Sequence, residues 1–346
     1  MTLGSHETHA ETATDGLGPT MRAVVQDRYG PADVLRVAEV DVPAIATDQV
    51  LVRVHAAGID RGTWHLMTGR PWVARLIGGI RRPRRQVPGL DLAGVVVRVG
   101  ADVTRFTPGD EVFGTGLGSL AEYAAAPEST LAPVPEGCSL TEAAVLGVSG
   151  LTALQAVHRK GTVRAGQRVL VMGASGGVGS YAVQMAHAAG ATVTGVCSGA
   201  KADAVRALGA DHVIDHQRDD PTAGSDRYDL IIDIGGRTRV RRLRRILAPE
   251  GTLVIVGGEG GNRITGGFGR GMRAAVRSRF TRQRMVMVIS DENAEDLQRL
   301  ADMVAAGTLR PWIDRTYPLD EAPEALRRLE AGLVTGKVAV EVAPAG

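Results

Sequence analysis

Short apolar stretches alternate with turn residues in the first third of the chain. They predict β-strands at 21–26, 35–42, 49–56, 95–99, 111–113 and 121–126. Glycine and proline separate these strands, as at Gly30-Pro31 and Pro43. Many short strands with such turns are typical of a partly closed β-barrel, which we predict for about 120 residues.

The pattern changes after a helical stretch at 142–160, because apolar strands then alternate with amphipathic helices. The strands are predicted at 168–172, 192–197, 230–234, 252–256 and 285–289. This alternation predicts a doubly wound parallel sheet, and therefore an α/β protein with two domains. Helical stretches at 293–306 and 322–331, with extended stretches at 312–317 and 337–342, predict a return to the first domain.

Composition and charge are those of an ordinary folded protein. The chain has 346 residues, 44% of them hydrophobic, and a net charge of +2. No apolar run approaches the length of a membrane span, so no membrane partner is predicted. Because positive and negative charges nearly balance, a nucleic-acid partner is not expected either.

The cysteines and the N-terminal residues bear on the compartment. Cys138 and Cys197 lie far apart and give no metal-binding or disulfide spacing. Residues 1–20 are polar, carry three acidic residues and no basic one, and lack the apolar segment of a signal peptide. We therefore predict a disordered tail at 1–20 and a reducing, cytoplasmic location.

A glycine-rich turn follows the strand at 168–172 and precedes a helical pattern. Small residues let a backbone approach a pyrophosphate, and N–H groups at a helix start supply donors. In the G-x-G-x-x-G register Ala174 replaces the first glycine, while Gly176 and Gly179 keep the other two. Since further strands complete a βαβαβ unit, we predict a dinucleotide site with Ala174, Ser175, Gly176, Gly177 and Val178.

The end of the second strand of this unit bears on the choice of coenzyme. An NAD site usually carries an acid there, whereas an NADP site needs room and positive charge for a phosphate. Residues 197–201 read CSGAK, with no acid and with one of the three lysines of the chain. We favour NADPH, bound by Ser198 and Lys201. The alternative is that Ser198 caps the next helix and Lys201 is solvated.

Seven stretches follow one another in a recognisable order. They are AAGIDRGTWHLMTG at 56–69, PGLDLAGVVVRVG at 88–100, FTPGDEVFG at 106–114, SLAEYAAAPE at 119–128, EAAVLGVSGLTALQAV at 142–157, the glycine turn, and GKVAVEV at 336–342. Together they resemble the medium-chain dehydrogenase/reductase superfamily, in its zinc-free quinone oxidoreductase (zeta-crystallin-like) branch. The resemblance implies a GroES-like, partly open β-barrel domain at 21–145 and 291–346 and a Rossmann domain at 146–290, with substrate in the cleft between them.

The positions of the zinc ligands in related enzymes are occupied here by other residues. Asp60 stands where zinc-dependent relatives have a ligand cysteine, and Leu90 stands where they have a ligand histidine. No cysteine precedes Cys138, so the structural zinc lobe is also absent from the sequence. The resemblance therefore implies no metal and a reaction that does not need a Lewis acid.

The same resemblance suggests roles for single residues. Asp60 replaces an asparagine near the nicotinamide ribose; it could bond the ribose, act as an acid or serve only a loop hydrogen bond. His65 is a candidate proton donor, with a surface histidine as the alternative. His216 could contact the adenosine phosphate or be an exposed strand end. The remaining cofactor residues implied are Thr152, Gly235, Gly257 and Lys337.

We expect NADPH-dependent hydride transfer to a quinone or an α,β-unsaturated carbonyl compound. A tailoring reductase for a secondary metabolite, or a low-turnover NADPH-binding sensor or nucleic-acid-binding protein, is the alternative. The strand at 285–289 resembles the edge strand through which relatives pair, so a homodimer is expected.

Arginine-rich segments at 70–85 and 263–284 could form a lid, guide an anionic substrate or do neither. The arginines at 237–245 are expected on the solvated face of a helix.

Overall fold

A computed structural model describes residues 17–258 and 264–342. The strands of these residues are β1 (Thr20–Val25), β2 (Arg36–Asp41), β3 (Gln49–Ile59), β4 (Asp91–Val99), β5 (Glu111–Thr115), β6 (Tyr123–Pro127), β7 (Leu131–Pro133), β8 (Arg168–Met172), β9 (Thr192–Cys197), β10 (His212–Asp215), β11 (Tyr228–Asp233), β12 (Leu247–Ile255), β13 (Arg284–Met287), β14 (Ile313–Pro318) and β15 (Lys337–Glu341). The helices are α1 (Arg61–Thr68), α2 (Arg75–Gly78), α3 (Leu140–Ala143), α4 (Gly147–Leu154), α5 (Gly177–Ala188), α6 (Ala202–Ala207), α7 (Val240–Ile246), α8 (Phe268–Ser278), α9 (Ala294–Ala305) and α10 (Ala322–Glu330).

A mixed sheet joins strands from the two ends of the described chain. Its order is β14-β15-β3-β4-β5-β7, and β6 also pairs with β3. β15 runs antiparallel to β3, so that Ala339 lies opposite Gly58. The valines at 50, 52 and 54 share one face of β3 and are buried with Leu92 and Val338 in one core.

A six-stranded parallel sheet has the order β10-β9-β8-β11-β12-β13. Successive residues of β8 point to opposite faces, and all but the first are buried. Val169 and Val171 belong to a core with α4, α5 and α9. Leu170 and Met172 belong to a second core with Leu243 of α7 and Ala274 of α8. Both faces are thus covered by helices, as a buried parallel sheet requires.

The predicted helix at 142–160 is divided in the structure. A capping box of Ser139 and Glu142 begins α3, which ends at Ala143, and α4 begins at Gly147 and continues as a π-helical turn over Gln155–Lys160. The break brings the Val148 N–H to 2.6 Å from Oδ1 of Asp91. A contact with a distant strand therefore decides where this helix begins, which periodicity does not reveal.

The bounds of some predicted segments differ from those in the structure by a few residues. Thr20, which the sequence places in the tail, is the first residue of β1 and pairs with Asp41 of β2. Residues 1–16 of that tail lie outside the described residues. The short strand β7 was not predicted. Among the described helices none is long and apolar enough to cross a membrane.

Candidate active site

The glycine turn between β8 and α5 forms an open cradle. Gly173 has a φ of 87°, in the left-handed region that favours glycine. A Cβ at Gly179 would overlap the carbonyl oxygen of Gly173, so the close approach of helix and turn requires glycine there. Gly176 is the N-cap residue of α5 and supplies no side-chain cap. Within the described residues, the N–H groups of the first helical turn have no side-chain partner, the arrangement that suits an anion such as pyrophosphate.

Ala174 lies beneath the cradle instead of on its surface. The residue is fully buried, and its N–H donates to the Val196 carbonyl at 3.0 Å. Because Gly173 is the left-handed residue, the backbone does not need a glycine at position 174. Ala174 was predicted to bind the cofactor directly, but its N–H is already used inside the protein. The residues at 175–178 are partly exposed on the cradle.

Two further glycines lie where β11 and β12 end. A Cβ at Gly257 would overlap the carbonyl oxygen of Ile234, whereas a Cβ at Gly235 would meet no heavy atom within 4 Å. Gly257 is thus required for backbone packing, and Gly235 borders open space beside Gly173. Contact of either glycine with a dinucleotide stays a prediction.

The residues after β9 are arranged differently from the expectation. Ser198 makes no side-chain capping bond. Nζ of Lys201 donates to the carbonyls of Gly332 at 2.9 Å and Val334 at 2.6 Å, and burial lowers the pKa of this ammonium. His216 is exposed, and its N–H donates to the carbonyl of Cys197 at 3.0 Å.

An acid does lie near this position, although the sequence reasoning missed it. A Cβ on Gly199 would lie 2.5 Å from Oδ2 of Asp215, so the carboxylate of β10 packs against the turn that follows β9. Asp215 comes from the next strand, and a search along β9 alone does not find it.

A buried ion pair lies directly below the cradle. Nζ of Lys337 is 3.0 Å from Oδ2 of Asp91, and the two side chains are 1% and 0% exposed. The same ammonium donates to Oγ of Ser149 at 3.0 Å. A Cβ on Gly177 would lie 2.9 Å from Cδ of Lys337, so the lysine supports the first residue of α5.

This pair changes the role expected for Lys337. We predicted that it reaches the cofactor, but its ammonium is held by Asp91 and Ser149 inside the protein. Burial raises the pKa of Asp91 to about 7, although the attraction of Lys337 lowers it. Thr152 lies one turn further along α4, with its hydroxyl donating to the Val148 carbonyl at 2.6 Å.

Asp60 is the N-cap residue of α1. Its Oδ1 accepts the Thr63 N–H at 2.7 Å, which explains why the helix begins here. Its Oδ2 is buried and has no hydrogen-bond partner within 17–258 and 264–342. A buried carboxylate oxygen without a partner is costly, so this atom is a candidate for contact with a ligand. The negative charge of Asp60 also raises the pKa of Asp91.

Glu292 adds a second carboxylate from the segment between β13 and α9. Its Oε2 accepts the Thr115 hydroxyl at 3.1 Å, and Thr115 pairs with Asp91 between β5 and β4. Burial raises the pKa of Glu292, and the charges of Asp60 and Asp291 raise it further. The sequence reasoning missed Glu292, because its only local signal was a run of helix-start residues before α9.

His65 lies in the last turn of α1. Its Nδ1 is 2.6 Å from the carbonyl oxygen of Arg70. A carbonyl can only accept, so Nδ1 carries the hydrogen and Nε2 of the neutral ring is an acceptor. His65 could therefore donate a proton through Nε2 only as an imidazolium.

Arg270 connects α8 with the carboxyl end of β11, an inner strand of the parallel sheet. Its Nη2 donates to Oδ2 of buried Asp233 and, at 2.7 Å, to the Thr238 carbonyl. Burial raises the pKa of Asp233, while Arg270 opposes that effect. Asp233 ends β11, so this ion pair fixes the start of α8 beside Gly235 and Gly257.

The acidic residues do not form a metal-binding group. In the part of the chain that the structure describes, no three His, Cys, Asp or Glu side chains are grouped so that they could hold a metal ion. Leu90, next to Asp91, offers no donor atom. These residues do not fit a catalytic zinc.

Comparison with known proteins agrees with this architecture. Residues 46–136 match the alcohol dehydrogenase GroES-like domain, and residues 208–340 match the zinc-binding dehydrogenase domain. The chain is 32% identical to the chloroplastic quinone-oxidoreductase QR1 of Triphysaria versicolor, over 94% of this chain and 99% of the relative. The chain belongs to the medium-chain dehydrogenase/reductase superfamily, in its quinone oxidoreductase-like branch.

Two further relatives support the same family assignment. The 2-methylene-furan-3-one reductase of Solanum lycopersicum is 32% identical over 99% of this chain and 85% of the relative. The solved quinone oxidoreductase of Coxiella burnetii is 30% identical and superimposes with a TM-score of 0.84, over 94% of this chain and all of that one. The predicted fold, a GroES-like domain with a Rossmann-type parallel sheet, is therefore confirmed. As a member of this branch, the protein is an oxidoreductase that uses a nicotinamide cofactor.

Proposed function

We propose that this oxidoreductase uses NADPH, without a metal, to reduce a quinone or an α,β-unsaturated carbonyl compound. The observation that supports it most is the connection between two features of the site. The uncapped cradle rests on Lys337, and the partner of Lys337, Asp91, interacts with the charge of Asp60, whose Oδ2 has no hydrogen-bond partner among the described residues. The candidate cofactor cradle is thus connected, through Lys337 and Asp91, to the candidate reactive group, the carboxyl group of Asp60.

The residues that would hold the dinucleotide follow from the cradle. The N–H groups of Gly177 and Val178, at the start of α5, would receive the pyrophosphate together with Ser175 and Gly176. Gly235 and Gly257 would let the dinucleotide lie along the ends of β11 and β12, and Thr152 would line the nicotinamide end. His216 would contact the adenosine end.

Lys201 and Ser198 would receive the 2′-phosphate of NADPH. Lys201 is half-buried, and the ion pair of Arg328 with Asp314 lies nearby. Its present partners are backbone carbonyls, which a phosphate can replace because a charged acceptor bonds an ammonium more strongly.

Lys201→Ala is therefore expected to raise the Kd of NADPH at least tenfold and that of NADH less than threefold. Arg206→Ala is the matched control, because Arg206 is an exposed cation of the neighbouring helix that pairs with Asp203. Equal losses for both coenzymes would contradict the phosphate assignment.

The chemistry that bound NADPH supplies is the donation of a hydride. The chain must then provide orientation, exclusion of water and a proton for the oxygen that becomes negative. Asp60 is the residue for that proton: Oδ1 is fixed by the Thr63 N–H, and Oδ2 is free of protein partners among the described residues. Glu292 is another candidate source of this one proton, because its raised pKa keeps it protonated at higher pH than a free glutamic acid. His65 is a second candidate donor in its imidazolium form.

Asp60→Asn tests this role, since asparagine preserves the helix cap. Loss of a general acid is expected to lower kcat about 10²-fold or more. Asp110→Asn is the matched control, because Asp110 also accepts a threonine N–H three residues away, that of Thr107 at 2.7 Å, but on the surface and not at a helix start. An unchanged kcat with Asp60→Asn would contradict the acid role and would favour a ribose contact.

The proposed function as a whole is tested by following oxidation of NADPH and NADH with quinones, enones, enoyl thioesters and simple aldehydes. Turnover of quinones or enones with a preference for NADPH is expected, and a chelator should not change it. Tight NADPH binding without turnover of any compound would refute the proposal and favour a sensor. Loss of turnover on chelation would refute the metal-free assignment.

Three further predictions belong to this proposal. One domain would comprise residues 21–145 together with 291–346, and the other would comprise 146–290. The pairing of β15 with β3 supports this division, because it joins the C-terminal segment to the first domain. A homodimer would form through β13, because this strand is an edge of the parallel sheet and Ile289 beside it is exposed. The cytoplasm remains the proposed location, since the two cysteines of the chain are free thiols.

A further inference from the structure

Two segments of the chain carry an unusual excess of positive charge. Residues 61–90 contain seven arginines and no acidic residue, and residues 260–290 also contain seven arginines and no acidic residue. The whole chain has a net charge of only +2, so the remainder carries 2 − 14 = −12. The near-neutral total therefore hides a strongly polarised distribution of charge.

The two segments are in contact, although about 190 residues separate them in the sequence. The Val73 N–H donates to the Ile264 carbonyl at 3.0 Å. A Cβ on Gly266 would lie 3.0 Å from Cγ of Pro71, so these backbones also pack closely. The arginines of these two stretches, twelve within 61–90 and 264–282, therefore belong to one region of the molecule, which we call the arginine face (residues 61–90 and 264–282). The edge strand β13 lies outside it.

Helix α8 presents an apolar stripe on the arginine face. Gly271 and Ala274 are buried on its inner side, where Gly271 packs against Met287. Met272, Val276 and Phe280 follow at intervals of four, which places them along one side, and they are 63%, 59% and 83% exposed. Large apolar side chains aligned in this way are unusual on a surface that faces only water.

The other segment adds apolar side chains of the same kind. Trp72, Leu76 and Ile80 lie on and beside α2 and are between 52% and 71% exposed. Their segment is tied to the protein by the Tyr29 hydroxyl, which donates to the Gly79 carbonyl at 2.6 Å. Six exposed apolar residues thus accompany the arginines on two adjoining segments.

Arg270 of α8 pairs with Asp233, but the other arginines beside the stripe have no acidic partner in the part of the chain that the structure describes. Those at 273, 277, 279 and 282 have no carboxylate partner among residues 17–258 and 264–342. Where α8 ends, a shallow cavity of about 440 Å³ is lined by Arg282 and by three arginines of α7, at 241, 244 and 245. No acidic residue lines this cavity.

We propose that the arginine face docks the protein on an anionic bilayer surface, with α8 lying in the plane of the headgroups. Exposed apolar residues flanked by arginines are what an interfacial helix needs, because the apolar side enters the acyl boundary and the cations bind anionic lipids. The sequence excluded a membrane span, but a helix of this type does not span the bilayer.

Two other occupants fit the observations less well. A nucleic acid would use the arginines but would leave Met272, Val276 and Leu76 exposed to water. A second copy joined through this face, and not through the edge strand β13, would place the arginines of the two copies against one another, since a two-fold interface brings identical patches together. Neither uses the whole surface, whereas an anionic bilayer complements both its charge and its apolar residues.

The proposal is tested by co-sedimentation of the full chain with vesicles. Vesicles of phosphatidylcholine with 30% phosphatidylglycerol are expected to retain the protein at least tenfold more strongly than vesicles of phosphatidylcholine alone, and high salt should remove most of the difference. Trp72 should show a blue-shifted emission on binding, and Trp72→Phe should lose that shift while still sedimenting.

Two variants and two controls separate the contributions of charge and apolar surface. Arg273→Gln/Arg277→Gln/Arg279→Gln and Met272→Ser/Val276→Ser/Phe280→Ser are each expected to weaken retention at least tenfold. Arg36→Gln/Arg299→Gln/Arg315→Gln and Leu333→Ser, which change exposed residues elsewhere, should leave it unchanged. All four should keep the wild-type rate with a water-soluble quinone, which confirms folding independently of vesicle binding.

Several outcomes would overturn the proposal. Equal retention on neutral and anionic vesicles would do so, and so would retention by the two α8 variants at the wild-type level. Binding to single-stranded RNA without binding to vesicles would assign the face to a nucleic acid. Dimerisation that depends on the apolar stripe, with no vesicle binding, would assign it to a second copy.

Discussion

The buried ion pair of Asp91 and Lys337 gives the strongest stability prediction, and Lys337→Met is the change that tests it. Methionine is similar in length and leaves no large cavity. At 3.0 Å the two charges attract each other by about 5 kcal/mol at an effective dielectric constant of about 20. Desolvation of both groups offsets most of this energy, so the pair contributes little relative to two apolar residues.

Removal of one partner is a different case. It leaves Asp91 fully buried beside Asp60, with the Val148 N–H as its remaining hydrogen-bond donor in the described structure. Breaking a buried pair in this way costs about 3–5 kcal/mol. Asp91 can lower that cost by taking up a proton, because losing Lys337 raises its pKa further. The destabilisation should therefore be smaller at pH 6 than at pH 8.5, where the carboxylate must stay charged.

The assay is urea-induced unfolding followed by circular dichroism at both pH values. Arg22→Met is the matched control, because it breaks the exposed pair of Arg22 and Asp320 at 2.7 Å and should cost less than about 1 kcal/mol. The double variant Asp91→Asn/Lys337→Met should recover much of the loss, because no buried charge then remains. The reasoning would be refuted by equal effects of Lys337→Met and Arg22→Met, or by a double variant whose loss equals the sum of the single losses.

Three shorter predictions follow. Glu292 has a raised pKa, so its contribution to stability is present below its ordinary pKa of 4.5 and is lost as the pH rises through the raised value. Glu292→Gln should therefore gain stability relative to wild type over that range. Parallel curves of unfolding free energy against pH for the two proteins would contradict this. Burial raises the pKa of Cys138 to about 11, so its alkylation at pH 7.5 should be roughly 300-fold slower than that of a free thiol. The urea-unfolded chain is the control, and labelling of the folded protein at the free-thiol rate would contradict the prediction. Gly179→Ala should destabilise the fold by more than about 1 kcal/mol, because its Cβ would overlap backbone atoms. Gly176→Ala should keep stability and weaken cofactor binding, because its Cβ would meet only the Gly173 carbonyl at 3.6 Å. Equal stability of the two variants in thermal unfolding would argue against the cradle geometry.

The glycine turn shows what could be predicted from the sequence. Strand, turn and helix are encoded by neighbouring residues, so the apolar run of β8 and the spacing of Tyr181 and Met185 on α5 were sufficient. The structure adds one detail: Ala174, which stands at the first glycine position of the fingerprint, is buried with its N–H bonded to the Val196 carbonyl, and its contact with a cofactor stays a prediction. The position that requires glycine depends on φ, and the left-handed residue is Gly173.

Lys337 and Asp91 show what could not be predicted. They are separated by 246 residues and meet because β15 joins the sheet of β3 and β4. A lysine before an apolar strand looks the same in sequence whether it faces solvent or a buried carboxylate. The only available signal was that each charged residue comes directly before a run of apolar residues, and that signal gives no partner. Glu292 was missed for the same reason, since its contact with Thr115 spans 177 residues.

The arginine segments carry this argument furthest. The net charge of +2 argued against a nucleic-acid partner, and the arginine segments at 70–85 and 263–284 were left open between a lid, a guide for an anionic substrate and neither role. Summing charge over the whole chain assumes an even distribution, which a folded protein need not have. Once Val73 and Ile264 are seen to join the two segments, the charges add, and the exposed residues of α8 lie beside them. The physical property that matters for a partner is the local charge together with the apolar surface next to it, and both are set by tertiary contacts that composition does not contain.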